Sequence, residues 1–285
     1  MPELETANTT TESAAKGRYF VRFTREQRYM HAVLFTTFLG LAATGLVMRF
    51  SESFWARKFA AGVGGFGAIL FFHKLCAIVL TIAFLIHVKE VFQRGLFRRE
   101  KGIFWGSTSM VANWKDVKDL FNHMRWFLGL GPKPQFERYA YWEKFDYWAV
   151  FWGMIIIGFS GYAMWFAPFF AHFLPGWALN AVLIIHSEEG LLAILFIFAI
   201  HFVNTHLRPD SFPMDMVIFT GGESEDEFKH KRPLEYQRML SEGKAESRLG
   251  IAPPLWLLNF SKVVGSIAIF IGLTLLVLTL TAYFH

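Results

Sequence analysis

Four histidines carry the first chemical signal in this chain. His73 and His87 stand 14 residues apart in one apolar run, and His186 and His201 stand 15 apart in another. At 100° per residue, 14 steps fall about 40° short of four helical turns and 15 steps pass them by about 60°. Each pair therefore lines one side of its helix, with about 21–22 Å between its members along the axis. An ionisable side chain at membrane depth is costly and marks function by default. If both helices run from outside to inside, His73 meets His186 near the outer face and His87 meets His201 near the inner face. Two histidines from facing helices can ligate a haem iron from both sides, and two such levels form an electron path across a bilayer. Neutral imidazole also suits Zn, Cu and non-haem Fe, but the sequence puts no carboxylate or third histidine close to His73 to complete such a set. Gly40, Gly45, Gly158, Gly161 and Gly190 leave room for a flat porphyrin between helices.

The elements that must hold these residues are apolar helices. The 285 residues are 54% hydrophobic and only 18% charged, against about 25% charged in a soluble domain; the mean hydropathy is +0.34. Apolar runs at 29–49, 66–93, 145–167, 178–205 and 255–283 match the roughly 20 residues that cross a bilayer. The fold class expected is all-α and integral to the membrane: a four-helix haem-binding bundle plus a fifth, C-terminal span. This composition excludes an ordinary soluble enzyme, a disordered chain and a nucleic-acid-binding domain, and the pI of 9.3 reflects basic loops on one membrane side. The single cysteine, Cys76, cannot form an internal disulfide or supply the about four thiolates of an iron–sulfur cluster, and no C-x-x-C-H site for c-type haem is present.

Charge orients the spans. Residues 1–28 carry Lys16, Arg18, Arg22, Arg25 and Arg28 without the apolar core of a signal peptide. Segments 94–144 and 206–254 are rich in Lys and Arg, whereas 50–65 has only Arg57 and Lys58 and 168–177 has neither type. The positive-inside rule puts the tail 1–28, the segment 94–144 and the charged linker 207–254 in the cytoplasm, and the C-terminus on the periplasmic side of a bacterial inner membrane. Within 94–144, Trp114–Leu130 reads as an amphipathic helix lying on the membrane surface, ended by Gly131–Pro134. Residues 221–250 have few apolar side chains and read as mobile or partner-bound. His123, His172, His230 and His285 fall in loops or at the terminus, where solvated side chains are the default; His206, five residues after His201, turns about 140° away from it on an α-helix.

The sequence resembles the cytochrome b (gamma) subunit of respiratory formate dehydrogenases, within the wider group of thiosulfate-reductase and hydrogenase cytochromes b. The matching residues are Arg22–Phe23, His31 and Thr44–Gly45, then Leu70–Phe72 before His73, and Arg138–Tyr139 before Glu143–Lys144. Ser160–Gly161 with Trp165, and Ile184–His186 with Gly190 and His201, complete the match over most of residues 20–206. The resemblance implies a di-haem domain over 29–206, with the outer haem b held by His73 and His186 and the inner by His31 and His201. It also implies a quinone site just before the third span, around Tyr139, Glu143 and Lys144. The chain departs from the family pattern in four ways. Its fourth-span histidines are 15 apart instead of 14, His87 is an additional histidine at inner depth, Ala140 and Trp142 replace an Asn and a Gly, and a fifth span is added. Spacing thus favours His87 for the inner haem and the resemblance favours His31; a third haem through His87 or His206 stays open.

The expected function is a membrane electron-transfer subunit, the quinone-reactive cytochrome b chain of an oxidoreductase complex. It would pass electrons between menaquinone or ubiquinone and a periplasmic iron–sulfur or multihaem cytochrome subunit with its catalytic subunit. Quinone reduction takes protons, for which Glu143, Lys144 and Asp146 are candidates beside an ordinary charged helix start. The rival readings are a cofactor-free membrane anchor of a respiratory complex and a histidine-relay proton channel or transporter. Residues between His73 and His87 are almost wholly apolar, unlike a proton pore.

Overall fold

The computed structural model describes residues 17–209 and 211–283; Lys16, His285 and the rest of the tail 1–16 lie outside the described residues. The chain is mostly helical, and five helices are long and apolar enough to cross a membrane. They are α1 (Arg25–Arg49), α3 (Phe66–Phe97), α5 (Tyr141–Trp165), α6 (Gly176–Leu207) and α9 (Leu255–Tyr283). At 1.5 Å per residue even the shortest of these is about 37 Å long, more than the roughly 30 Å hydrocarbon core. Each lies within a few residues of the apolar run that announced it. Between α1 and α3 sits α2 (Phe54–Val63), capped by Ser53 at its start and by Gly64 at its end, where φ is +108°.

The described residues fall into two compact units. One comprises 29–100, 145–215 and 263–283. Its core joins Ala42 and Leu46 of α1, Leu191, Ile194, Phe198 and Phe202 of α6, and Leu275 of α9. Gly272 sets the approach of α9 to α6, because a Cβ there would lie 2.6 Å from the ring of Phe202 and 2.8 Å from that of Phe198. The two acids inside the fourth run are both paired, as charges at that depth need to be. Glu188 accepts from Arg49 at 2.9 Å, and Glu189 accepts from the Trp152 indole at 3.2 Å.

The other unit comprises 17–28, 101–144 and 216–262. Segment 101–144 therefore groups with the N-terminal strand and the charged linker instead of forming an appendage of the helical domain. The expectation that 221–250 is mobile or partner-bound is corrected in that the segment folds against other parts of the same chain. Gly222–Ser224 and Leu249–Gly250 flank Tyr19–Val21 in an antiparallel three-stranded sheet, the one departure from an all-α chain among the described residues. Between those strands run α7 (Glu225–Lys231) and α8 (Pro233–Ser241), and Phe20, Phe228, Met239 and Ala245 close a small core. Few apolar residues suffice because charge pairing does the rest. Glu235, 1% exposed, receives Arg138 at 3.1 Å and Arg22 at 3.4 Å. The two arginines each donate to the other's backbone carbonyl at 2.7 Å. Burial, with Arg232 close by, pushes the Arg22 guanidinium down to about 10. Glu235→Gln should therefore leave two buried guanidinium groups underpaired and cost about 3–5 kcal/mol. We expect amide exchange of residues 19–23 and 222–239 to accelerate strongly in that variant, with little change in the apolar helices.

Candidate functional site

Two groups of histidines occupy the helical unit. In the first, His73 of α3 and His186 of α6 face each other with ring centroids 6.2 Å apart and planes at 74°. Their Nδ1 atoms are held from outside the pair. The Thr44 hydroxyl gives its proton to the Gly40 carbonyl at 2.6 Å, so its oxygen accepts from His73 Nδ1–H at 2.9 Å. His186 Nδ1–H donates to the Ile157 carbonyl at 3.0 Å and faces Ser160 Oγ at 3.2 Å, whose own proton goes to the Ile156 carbonyl. Both rings are thereby set in the tautomer that leaves Nε2 as a lone-pair donor. Glycines give the rings their space: a Cβ at Gly161 would come within 2.9 Å of His186 Cε1, and one at Gly45 within 3.5 Å of His73 Cε1.

The second group is built on α6 and α1. His201 Nδ1–H donates to Asp146 Oδ2 at 2.8 Å, again leaving Nε2 free. His206 packs perpendicular to it, with ring centroids 6.2 Å apart. His206 is 9% exposed, and its Nδ1 has no hydrogen-bond partner among the described residues. His31 of α1 lies within the electrostatic reach of both.

Helix type explains this arrangement. Residues Phe196–His201 and Val203–Leu207 form π-helical turns inside α6. A π turn bonds i to i+5 and advances roughly 82° per residue. Nine α steps and six π steps from His186 to His201 then total about 1,390°, against about 1,400° for fourteen α steps. Fifteen residues thus turn the helix as far as fourteen regular α-helical steps would. One α step into Phe202 and four π steps carry His206 to within about 70° of His201, not the 140° of a regular α-helix, so the sequence-based placement of His206 is corrected.

The remaining sequence candidates divide. His87 does stand on α3, but its Nε2 is bonded to the Tyr147 hydroxyl at 3.0 Å and its ring lies against Tyr147 and Phe151. Asp146 is the one quinone-site candidate brought to a histidine group. Glu143 caps the Ala140 N–H at 2.7 Å and pairs with Arg232 at 3.2 Å. Lys144, buried, pairs with Asp116 at 2.8 Å. Tyr139 lies beneath the guanidinium groups of Arg22 and Arg138, 5.5 and 5.3 Å from its ring centre. These three belong to the unit built on the sheet and form its charge network. His123 is not solvated as expected. It is 6% exposed, stacked on Phe127 at 4.7 Å and bonded to the Tyr141 hydroxyl at 3.1 Å.

Sequence reasoning missed the helper residues, Thr44 and Ser160 above all, although a hydroxyl one place before each of Gly45 and Gly161 was a readable signal. Among the described residues, no three His, Cys, Asp or Glu side chains form a set that could hold a metal ion by themselves. The histidine groups can instead supply one or two imidazole ligands to a metal whose other positions are filled by a cofactor. No protein-family model matches the chain, and no curated protein matches it significantly. What the fold defines is a mostly helical chain with five helices able by length and composition to cross a membrane.

Proposed function

We propose that this chain is a cytochrome b-type membrane subunit that passes electrons between a redox partner at the outer face and the quinone pool. His73 and His186 would hold an outer haem b, and His201 with His31 an inner one. The observation that carries the reading is the His73–His186 pair. Two imidazoles sharing one metal, each at about 2 Å and with roughly 1.1 Å from nitrogen to ring centre, would have ring centres roughly 6 Å apart, and the observed spacing is 6.2 Å. Haem iron held this way would carry one electron at a time between its ferric and ferrous forms.

The protein's residues do the rest. Thr44, Ser160 and the Ile157 carbonyl orient the outer imidazoles, and Asp146 orients His201 and makes it a more basic ligand. The apolar helices keep water from the ligands, which tunes potential through burial. On this reading the N-terminus and the charged segments face the cytoplasm, and quinone meets the inner histidine group, where Asp146 is bonded to His201.

The test is a pyridine haemochrome assay on purified, haem-supplied protein. We expect non-covalent b-type haem at about two per chain, since only histidine is available as a ligand. A reduced spectrum with no α-band would refute the proposal. Gly161→Val should drive its side chain into His186 and remove about half of the bound haem, whereas Gly62→Val on α2, where a Cβ meets nothing within 4 Å among the described residues, should keep it.

A further inference from the structure

The helix α4 (Trp114–Phe127) is built inside out for a protein surrounded by water. Its buried positions are Asp116, Asp119 and His123. Asp116 is paired with Lys144, Asp119 with Lys115, and His123 with the Tyr141 hydroxyl. Its apolar positions point outward: Trp114 is 70% exposed, Phe121 59%, Met124 53% and Phe127 72%, and Leu128 just beyond is 71% exposed. At 100° per residue, Trp114, Val117, Leu120, Phe121, Met124, Phe127 and Leu128 fill one arc of about 140°. Lys118 and Arg125, both exposed, lie 20–40° beyond one edge of that arc. The Asn113–Asp116 capping box starts the helix, and Gly129 (φ +71°) ends it two residues before the Gly131 stop read from the sequence.

We infer that the apolar face of α4 inserts into the interface of an anionic phospholipid leaflet, with Lys118 and Arg125 on the headgroups. Three facts select a bilayer as the occupant. The segment carrying α4 is tied at both ends to helices able to cross a membrane, α3 and α5. Asp116 bonded to Lys144 and His123 bonded to Tyr141 fix the helix against the first turn of α5, so it stays at the end of that span. A wide apolar arc edged by cations is the pattern of helices that bury one face about 5–10 Å below the headgroups. The inference rests on the reading that α3 and α5 span the membrane.

Spin labels on single cysteines test it, in full-length protein with Cys76→Ala reconstituted into phosphatidylcholine–phosphatidylglycerol vesicles. At Phe121→Cys and Met124→Cys we expect oxygen to outcompete a water-soluble nickel relaxer, at a depth of about 5–10 Å. At Asn122→Cys the nickel relaxer should dominate. Ile82→Cys on α3, an exposed position, serves as the control for spanning. Water-like behaviour at 121 and 124 with a lipid-like Ile82→Cys overturns the inference alone; water-like behaviour at all three overturns the spanning reading with it. Shielding of 121 and 124 from both relaxers would mean that protein, a second copy or a partner, covers the face, and also overturns it. The Lys118→Glu, Arg125→Glu double variant should move position 121 toward water in these vesicles. An unchanged depth overturns the role of anionic headgroups.

Discussion

Alanine at His73 and alanine at His186 are expected to remove one and the same haem, leaving about one per chain in either variant. The two rings stand 6.2 Å apart on different helices, so each would supply one of two axial bonds to a single iron. Losing one strong ligand of two exposes the other face to exchange and releases a non-covalent cofactor. The double variant should lose no more haem than either single one, since both remove the same site. Redox titration of the remaining α-band checks this: both single variants should retain the same component. If they retain different components, or the double variant loses both haems, the pairing is wrong. Thr44→Val and Ser160→Ala remove only an acceptor of an Nδ1–H bond. Such outer partners typically carry about 10–100-fold in affinity, so these variants should weaken haem retention without abolishing it.

The second large effect is expected at His201. His201→Ala should remove the inner haem and spare the outer one. It also strands the Asp146 carboxylate, whose other oxygen is already buried without a partner. The companion variant is therefore His201→Ala with Asp146→Asn, which deletes the ligand without leaving a buried charge. Asp146→Asn alone keeps the ligand and changes its electronics. A carboxylate accepting Nδ1–H makes the imidazole a stronger donor and favours ferric iron, so the inner potential should rise in Asp146→Asn while the outer one stays in place. An unchanged inner potential would remove Asp146 from the site. The partner of His201 is decided by three further alanines. Haem loss in His31→Ala with retention in His87→Ala supports the family-like pairing; the reverse supports the pairing by spacing. His206→Ala should keep the haem, because two histidines five residues apart on one helix cannot reach opposite faces of a porphyrin.

The charge network changes how a quinone-site test must be read. Glu143 and Lys144 hold Arg232 and Asp116. Glu143→Gln or Lys144→Ala would thus disturb the sheet-bearing unit whatever its effect on quinone. Asp146→Asn leaves that network alone, and its effect on quinone turnover is read together with the inner potential, which it also shifts through His201.

Hydropathy alone determined the five long helices, because a run of some 20 apolar residues has few ways to satisfy its backbone away from water other than a helix. The matched places of His73 and His186 follow from the order of the runs, and 100° per residue described the stretch Phe66–Phe92, which is α-helical throughout. That rule failed where the helix changed type. No local feature of Phe196–Leu207 announces π turns, so the place of His206 was visible only in three dimensions. The same holds for the charged segments. Residues 221–250 look unfoldable as a sequence because their stabilising partners, Arg22, Arg138 and Glu143, lie about 80–210 positions away. Long-range ion pairs leave no periodicity to read. Likewise α4 is amphipathic by sequence whichever side it presents; only the fixed positions of Lys144 and Tyr141 decide that its aspartates and His123 turn inward and its aromatic face turns out.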